Sequence, residues 1–180
     1  MTLYPVINSD MVLKHGEENA VASFYQWMST MFKHSKGYEV LFDKDGLDFE
    51  HRKHTNFPCI VVQQLDTVDE ASRFIGGKAN MAKLMFYIYI HHHAKHGGTR
   101  RTLRRSRDQV SFALRYAGIQ NQAEEFVVDP IYIWDYSVTP ATKTGGVLTV
   151  EKGIQQRFIQ DGDLISYEFM VSLDYVEQLM

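Results

Sequence analysis

Between Ile165 and Tyr175 the chain alternates strictly: Ile165, Tyr167, Phe169, Val171, Leu173 and Tyr175 are separated by Ser166, Glu168, Met170, Ser172 and Asp174. A period of two puts the first set on one face of a β-strand and the mostly polar second set on the other. A strand of this length needs neighbours, and two are legible nearby. Residues 155–159 precede the turn signal Asp161-Gly162-Asp163, which predicts an antiparallel hairpin with the final strand. Residues 81–90 alternate as well, with Leu84, Phe86, Ile88 and Ile90 opposite Met85, Tyr87 and Tyr89, so both faces of that strand are expected to be covered.

The rest of the chain supplies the cover. Val21, Phe24, Tyr25, Met28 and Phe32 recur at helical spacing and predict an amphipathic helix over 17–32, with Gly37 as a stop. A second helix is predicted from an N-cap at Thr99 to about Ala117, ended by Gly118, with Leu103, Val110, Ala113, Leu114 and Ala117 as its apolar stripe. Residues 38–42, 58–65 and 131–134 read as further strands, and 67–80 as a connection. The polar segment around 43–57 is expected to be a loop, and the Thr-, Gly- and Lys-rich 138–153 an extended arm or mobile hairpin. The expected fold is α+β: one domain over 1–180, a mixed or antiparallel sheet with two helices packed on one face.

Composition bounds the class. An apolar fraction of 44% over 180 residues is ample for one hydrophobic core. The lone cysteine, Cys59, lies in the apolar run Pro58-Cys59-Ile60-Val61-Val62 and reads as a buried, inert thiol. The opening residues lack a basic and then apolar leader pattern, and no stretch approaches the ~18 apolar residues of a membrane span. Synthesis and retention in a cytoplasm are therefore expected. A net charge of −3 argues against wholesale nucleic-acid binding. That balance hides an asymmetry. Six of the nineteen basic side chains lie between Lys95 and Arg107, whereas from Tyr116 onward ten acidic residues face three basic ones.

Two clusters invite chemistry. In His91-His92-His93-Ala94-Lys95-His96, imidazoles are potential metal ligands. Strand geometry separates His92 from His91 and His93, and no Cys or acidic residue lies within ten positions on either side. His91, His93 and His96 could meet around an ion only if the turn curled back. The plainer expectation is an exposed or interface cluster, with no metal and no other cofactor; facing a partner, it would loosen the contact near pH 6. The second cluster is Arg100, Arg101, Arg104, Arg105 and Arg107. Like charges at i,i+4 repel, so this face is expected to meet carboxylates from outside, or phosphates. The acidic pairs Glu124-Glu125, Asp161 with Asp163, and Glu17-Glu18 read as solvated turns or helix starts. No phosphate loop, nucleophile elbow or metalloprotease motif is present, so no catalytic residues are assigned and no enzyme is expected.

The arrangement resembles the tail terminator (tail completion) proteins of long-tailed bacteriophages. The resemblance rests on the opening helix, the Pro58-to-Val62 strand, the strand over 83–90, the second helix leading through Ala113-Leu114-Arg115-Tyr116-Ala117 to Val127-Val128-Asp129-Pro130, and the final strand over 166–175. It covers residues 10–178; the histidine tract and the strongly basic second helix depart from what such a family leads one to expect. It implies a virion protein made in the host cytoplasm. Six copies would form a ring that caps the tail tube, ends its polymerisation and joins the head–tail connector, or neck. DNA would pass through the lumen without specific binding, and no membrane is involved. A ring built head to tail needs two unlike complementary patches, which the basic helix and the acidic C-terminal third could supply. Accordingly, Arg100, Arg101, Arg104, Arg105, Arg107, His91 and His93 are the expected interface, and Asp161, Asp163 and Glu168 the expected lumen-facing groups. A head-side neck adaptor, a metal-dependent hydrolase built on the histidines, and a basic-helix DNA-binding module are the alternatives.

Overall fold

Strand β4 (Ala79–His93) pairs antiparallel along its whole length with β8 (Leu164–Gln178), from Ala79 opposite Gln178 to His93 opposite Leu164. These two strands are the spine of a computed structural model that describes residues 16–34, 36–43, 56–65, 73–75 and 79–178. On one side of β4 lies β2 (Cys59–Gln64), antiparallel to it, and then β1 (Glu39–Asp43), parallel to β2. On the other side of β8 come β6 (Thr142–Val150) and β5 (Ile131–Asp135). The short β3 (Arg73–Ile75) pairs with the start of β4, and β7 (Gln155–Asp161) forms the expected hairpin with β8. The sheet is mixed, and the α+β class read from the sequence holds.

Both helices lie on one face. Helix α1 (Glu17–Met28) has Glu17 and Glu18 in its first turn, where carboxylates favour the positive end of the helix dipole, and continues into a π-helical turn, Ser29–His34. Its Phe24 ring stands 4.6 Å from Phe86 of β4, with Met28 and Phe32 buried alongside. Helix α2 (Arg100–Tyr116) starts in a reciprocal capping box. The Thr99 hydroxyl accepts from the Thr102 amide at 3.1 Å, and the Thr102 hydroxyl from the Thr99 amide at 2.9 Å. Leu103, Val110, Ala113 and Leu114 bury against the even-numbered residues of β4 and the odd-numbered residues of β8. The sheet's opposite face carries Cys59, which is buried as expected.

Two boundaries depart from the sequence reading. The connection expected over 67–80 contains β3 and the first residues of β4. Residues 138–153, expected as an arm or hairpin, are no free arm. They contribute β6, which pairs with β5 and meets β8 at Thr149 and Val150. Gly145 and Gly146 fall where the β5–β6 register shifts, between Lys143 opposite Trp134 and Val147 opposite Tyr132, so the strand carries them at an irregularity. The loop expected at 43–57 lies mostly outside the described residues.

The far edge of the sheet is closed by side chains. The Ser23 hydroxyl accepts from the Trp134 amide at 2.9 Å, and Asn19 Oδ1 accepts from the Tyr136 amide at 3.2 Å. The Trp27 indole donates to the Asp129 carbonyl at 3.1 Å. Helix α1 thus takes the place of a further strand beside β5 and removes an edge that could recruit another chain.

Candidate interaction surface

Helix α2 turns 100° per residue. Arg101, Arg105, Asp108, Phe112 and Tyr116 consequently share the sector opposite its core stripe, whereas Arg100 and Arg107 lie at its flank. The structure treats the two groups differently. Arg100 folds onto the β7–β8 hairpin, 5.5 Å from the Phe158 ring centroid, and donates to Gln160 Oε1 at 3.1 Å. Arg107 sits 5.2 Å from the Tyr167 ring centroid and pairs with Asp108 at 2.6 Å. Both were expected at a partner interface, yet both are engaged within the chain, because each guanidinium finds an aromatic face on the neighbouring strands.

Arg101, Arg104 and Arg105 remain exposed, and among the described residues no carboxylate forms an ion pair with them. With Lys36 they line an open groove of about 800 Å³ between the π-helical end of α1 and α2, floored by Met31, Phe32, Phe112, Ala113, Val127 and Val128. Phe112 is 50% exposed and stacks on Tyr116, centroids 4.6 Å apart. Beyond the helix, residues 119–127 form a small turn. It is closed by the Val127 amide on the Ile119 carbonyl and by Asn121 Oδ1, which accepts from the Ala123 and Glu125 amides. Val127 of this turn lines the groove with Phe112, Ile119 borders a second hollow with Tyr116, and Phe126 is exposed on the same turn. Sequence reasoning missed them. The signal was available: Phe112 and Tyr116 lie off the apolar stripe of a helix whose core face was already complete.

The histidines divide. His91, expected at an interface, is 6% exposed and belongs to the chain's own interior. Its Nδ1 lies 2.6 Å from the Ser166 hydroxyl and its ring stacks on Tyr89. Burial first, and His92 second, push its pKa down to about 4. His92 points to the helix face, with Nε2 2.9 Å from the Ser106 hydroxyl and Nδ1 3.3 Å from that of Thr102; burial lowers its pKa too. Tyr38 donates into the same network, 2.7 Å from Ser106 Oγ and 2.8 Å from Gln109 Oε1. A serine beside a histidine suggests a nucleophile and its base. Here Ser106 is buried among α2, β4 and Tyr38, and the set works as a polar clamp between helix and sheet. His93 and His96 pack with Phe57, ring centroids 5.3 to 5.6 Å apart. His91, His93 and His96 are not brought together, and no group of three potential ligands forms a metal site among the described residues.

The carboxylates expected to face a lumen are partly spoken for. Asp163 pairs with Lys95 at 3.3 Å and Glu168 with Arg157 at 3.1 Å; Asp161 is exposed. Burial, followed by Glu168, pushes the Tyr89 phenol up to about 12. Among the described residues, no helix is long and apolar enough to cross a membrane.

The site is therefore a surface: a basic groove joined to an aromatic strip, on an α+β chain whose helices share one face of a mixed sheet. No family model and no curated protein matches the chain. A solved chain superposes with a TM-score of 0.49 at 11% identity, covering 89% of this chain and 96% of its own length, a likeness too low to bear on function.

Proposed function

We propose that this protein is a structural subunit of a bacteriophage tail, a tail terminator that closes into a ring of six. The ring caps the tube, ends its polymerisation and presents the tail-side joint to the head connector, with DNA passing through its lumen unread. The observation that carries this reading is the continuous outward sector Arg101–Arg105–Phe112–Tyr116, extended by Ile119, Phe126 and Val127. An exposed apolar strip that continues a run of arginines is the kind of surface that another protein covers. The reading requires no catalytic step and no cofactor, and it places the protein in the virion after synthesis in the host cytoplasm.

Electron microscopy tests it. Purified protein should form closed rings with six-fold symmetry, and phage lacking it should make tails of uncontrolled length. Tube-length control that persists without the protein, together with rings that bind capsids in preference to tubes, would transfer it to the head side of the neck. A protein that stays monomeric and hydrolyses a substrate in a metal-dependent way would sink the structural reading altogether.

A further inference from the structure

We infer that the groove between the π-helical end of α1 and helix α2 is the socket for a second copy of this chain, entered head to tail by an acidic face. This inference rests on the ring reading. Chemistry defines what the groove accepts. Lys36, Arg101, Arg104 and Arg105 stand along it, and the one carboxylate in its lining, Asp108, is already held by Arg107 at 2.6 Å. Arg101 and Arg105, one helical turn apart, repel each other, and a carboxylate from outside relieves that repulsion. The floor at Phe112 is apolar and half-exposed, so the occupant brings an apolar contact between its acidic groups.

A second copy meets these requirements. Outside residues 95–107 the chain carries thirteen basic residues against twenty-two acidic ones, a net charge of −9 opposite in sign to that of the groove. Another copy's groove would meet it with like charge instead. Two such surfaces would set eight cations against each other, Lys36, Arg101, Arg104 and Arg105 from each copy, a like-charge juxtaposition that suppresses association. A two-fold contact of groove on groove is thereby excluded. The contact must join unlike patches, and repetition of a head-to-tail contact closes into a ring or runs on as a filament. The acidic face does not depend on Asp163 or Glu168, which Lys95 and Arg157 hold within the subunit.

Three proteins test this by native mass measurement: the wild type, the double variant R101E/R105E, and Phe112→Ser. These side chains are at the surface, and circular dichroism with thermal melting checks that each variant is folded. The wild type should form one closed species, and both variants should fall to monomer, with association at least about tenfold weaker per reversed arginine. R101E/R105E retains its acidic face, so mixed into wild type it should be taken up once per chain end and yield short open complexes. If the double variant closes into the same ring as wild type, the socket is wrong while the ring reading stands. A wild-type dimer that the double variant cannot join would overturn the head-to-tail geometry. A wild type that is monomeric at every concentration removes the ring reading and the second copy with it.

Discussion

His91 and His92 are adjacent in sequence but on opposite faces of β4, and each is held by a serine hydroxyl, 75 and 14 residues away respectively. A histidine tract reads as surface because its partners are invisible in a local window; only the fold brings Ser166 and Ser106 to it. This changes the expected response to acid. His91 is held neutral, with its folded pKa near 4 against an ordinary value of 6.5. Between those two values the unfolded chain binds the extra proton, so stability is fully present above pH 6.5 and is lost as the pH falls toward 4. The loss amounts to about 3 kcal/mol on the scale of 1.36 kcal/mol per pKa unit. Urea titrations from pH 7 to pH 4 should show this slope in the wild type and a flatter one in His91→Asn. Equal slopes would rule out His91 as its source. Acid thus acts on the fold, where the sequence had suggested an effect near pH 6 on a subunit contact.

At the scale of elements, α2 was the most legible. Its cap at Thr99, its stop at Gly118 and its core stripe all follow from local chemistry. The division of its arginines does not, since Arg100 and Arg107 find Phe158 and Tyr167 only when the β7–β8 hairpin packs beside the helix. The turn into α2 carries its own constraint: a Cβ on Gly98 would stand 2.7 Å from the His93 carbonyl oxygen and 2.8 Å from its amide nitrogen. Backbone cannot yield as a side chain would, so Gly98→Ala should destabilise the protein by about 1–3 kcal/mol, the usual range for overpacking. An unchanged melting temperature would mean that the turn relaxes freely. Strand β6 was the least legible element, because Gly145 and Gly146 weaken its propensity and Leu148 is its one buried side chain. Its partner β5 depends in turn on α1. Ser23→Ala would leave the Trp134 amide without its acceptor, at a cost of about 1–3 kcal/mol, read as a lower midpoint in chemical denaturation. A midpoint equal to wild type would show that Ser23 is not needed to close that edge.

For the whole molecule, charge is the long-range variable. A contact between a groove rimmed by arginines and an acidic face weakens as salt shortens the Debye length from ~10 Å at 0.1 M to ~3 Å at 1 M. Assemblies of the wild type should therefore shift to smaller species as salt rises, and R101E/R105E should show little salt dependence at all. Stronger association at high salt would mean that the apolar strip dominates and the arginines are incidental.

The alternations in β4 and β8, the two amphipathic helices, the hairpin turn and the concentration of positive charge on α2 were all determined by the sequence itself. Each is set by residues within a turn or two of one another, and a periodicity needs no partner to be recognised. Tertiary structure alone decided which arginines stay free, that His91 lies inside, that 142–150 joins the sheet, and that Phe112, Tyr116 and the 119–127 turn make one surface with Arg101 and Arg105. The arginine division and the burial of His91 depend on contacts 58 to 75 residues apart, Arg100 with Phe158, Arg107 with Tyr167 and His91 with Ser166, and such neighbours exist only once the sheet and helices have packed. The basic helix is legible from its composition; the groove beside it is a product of the fold.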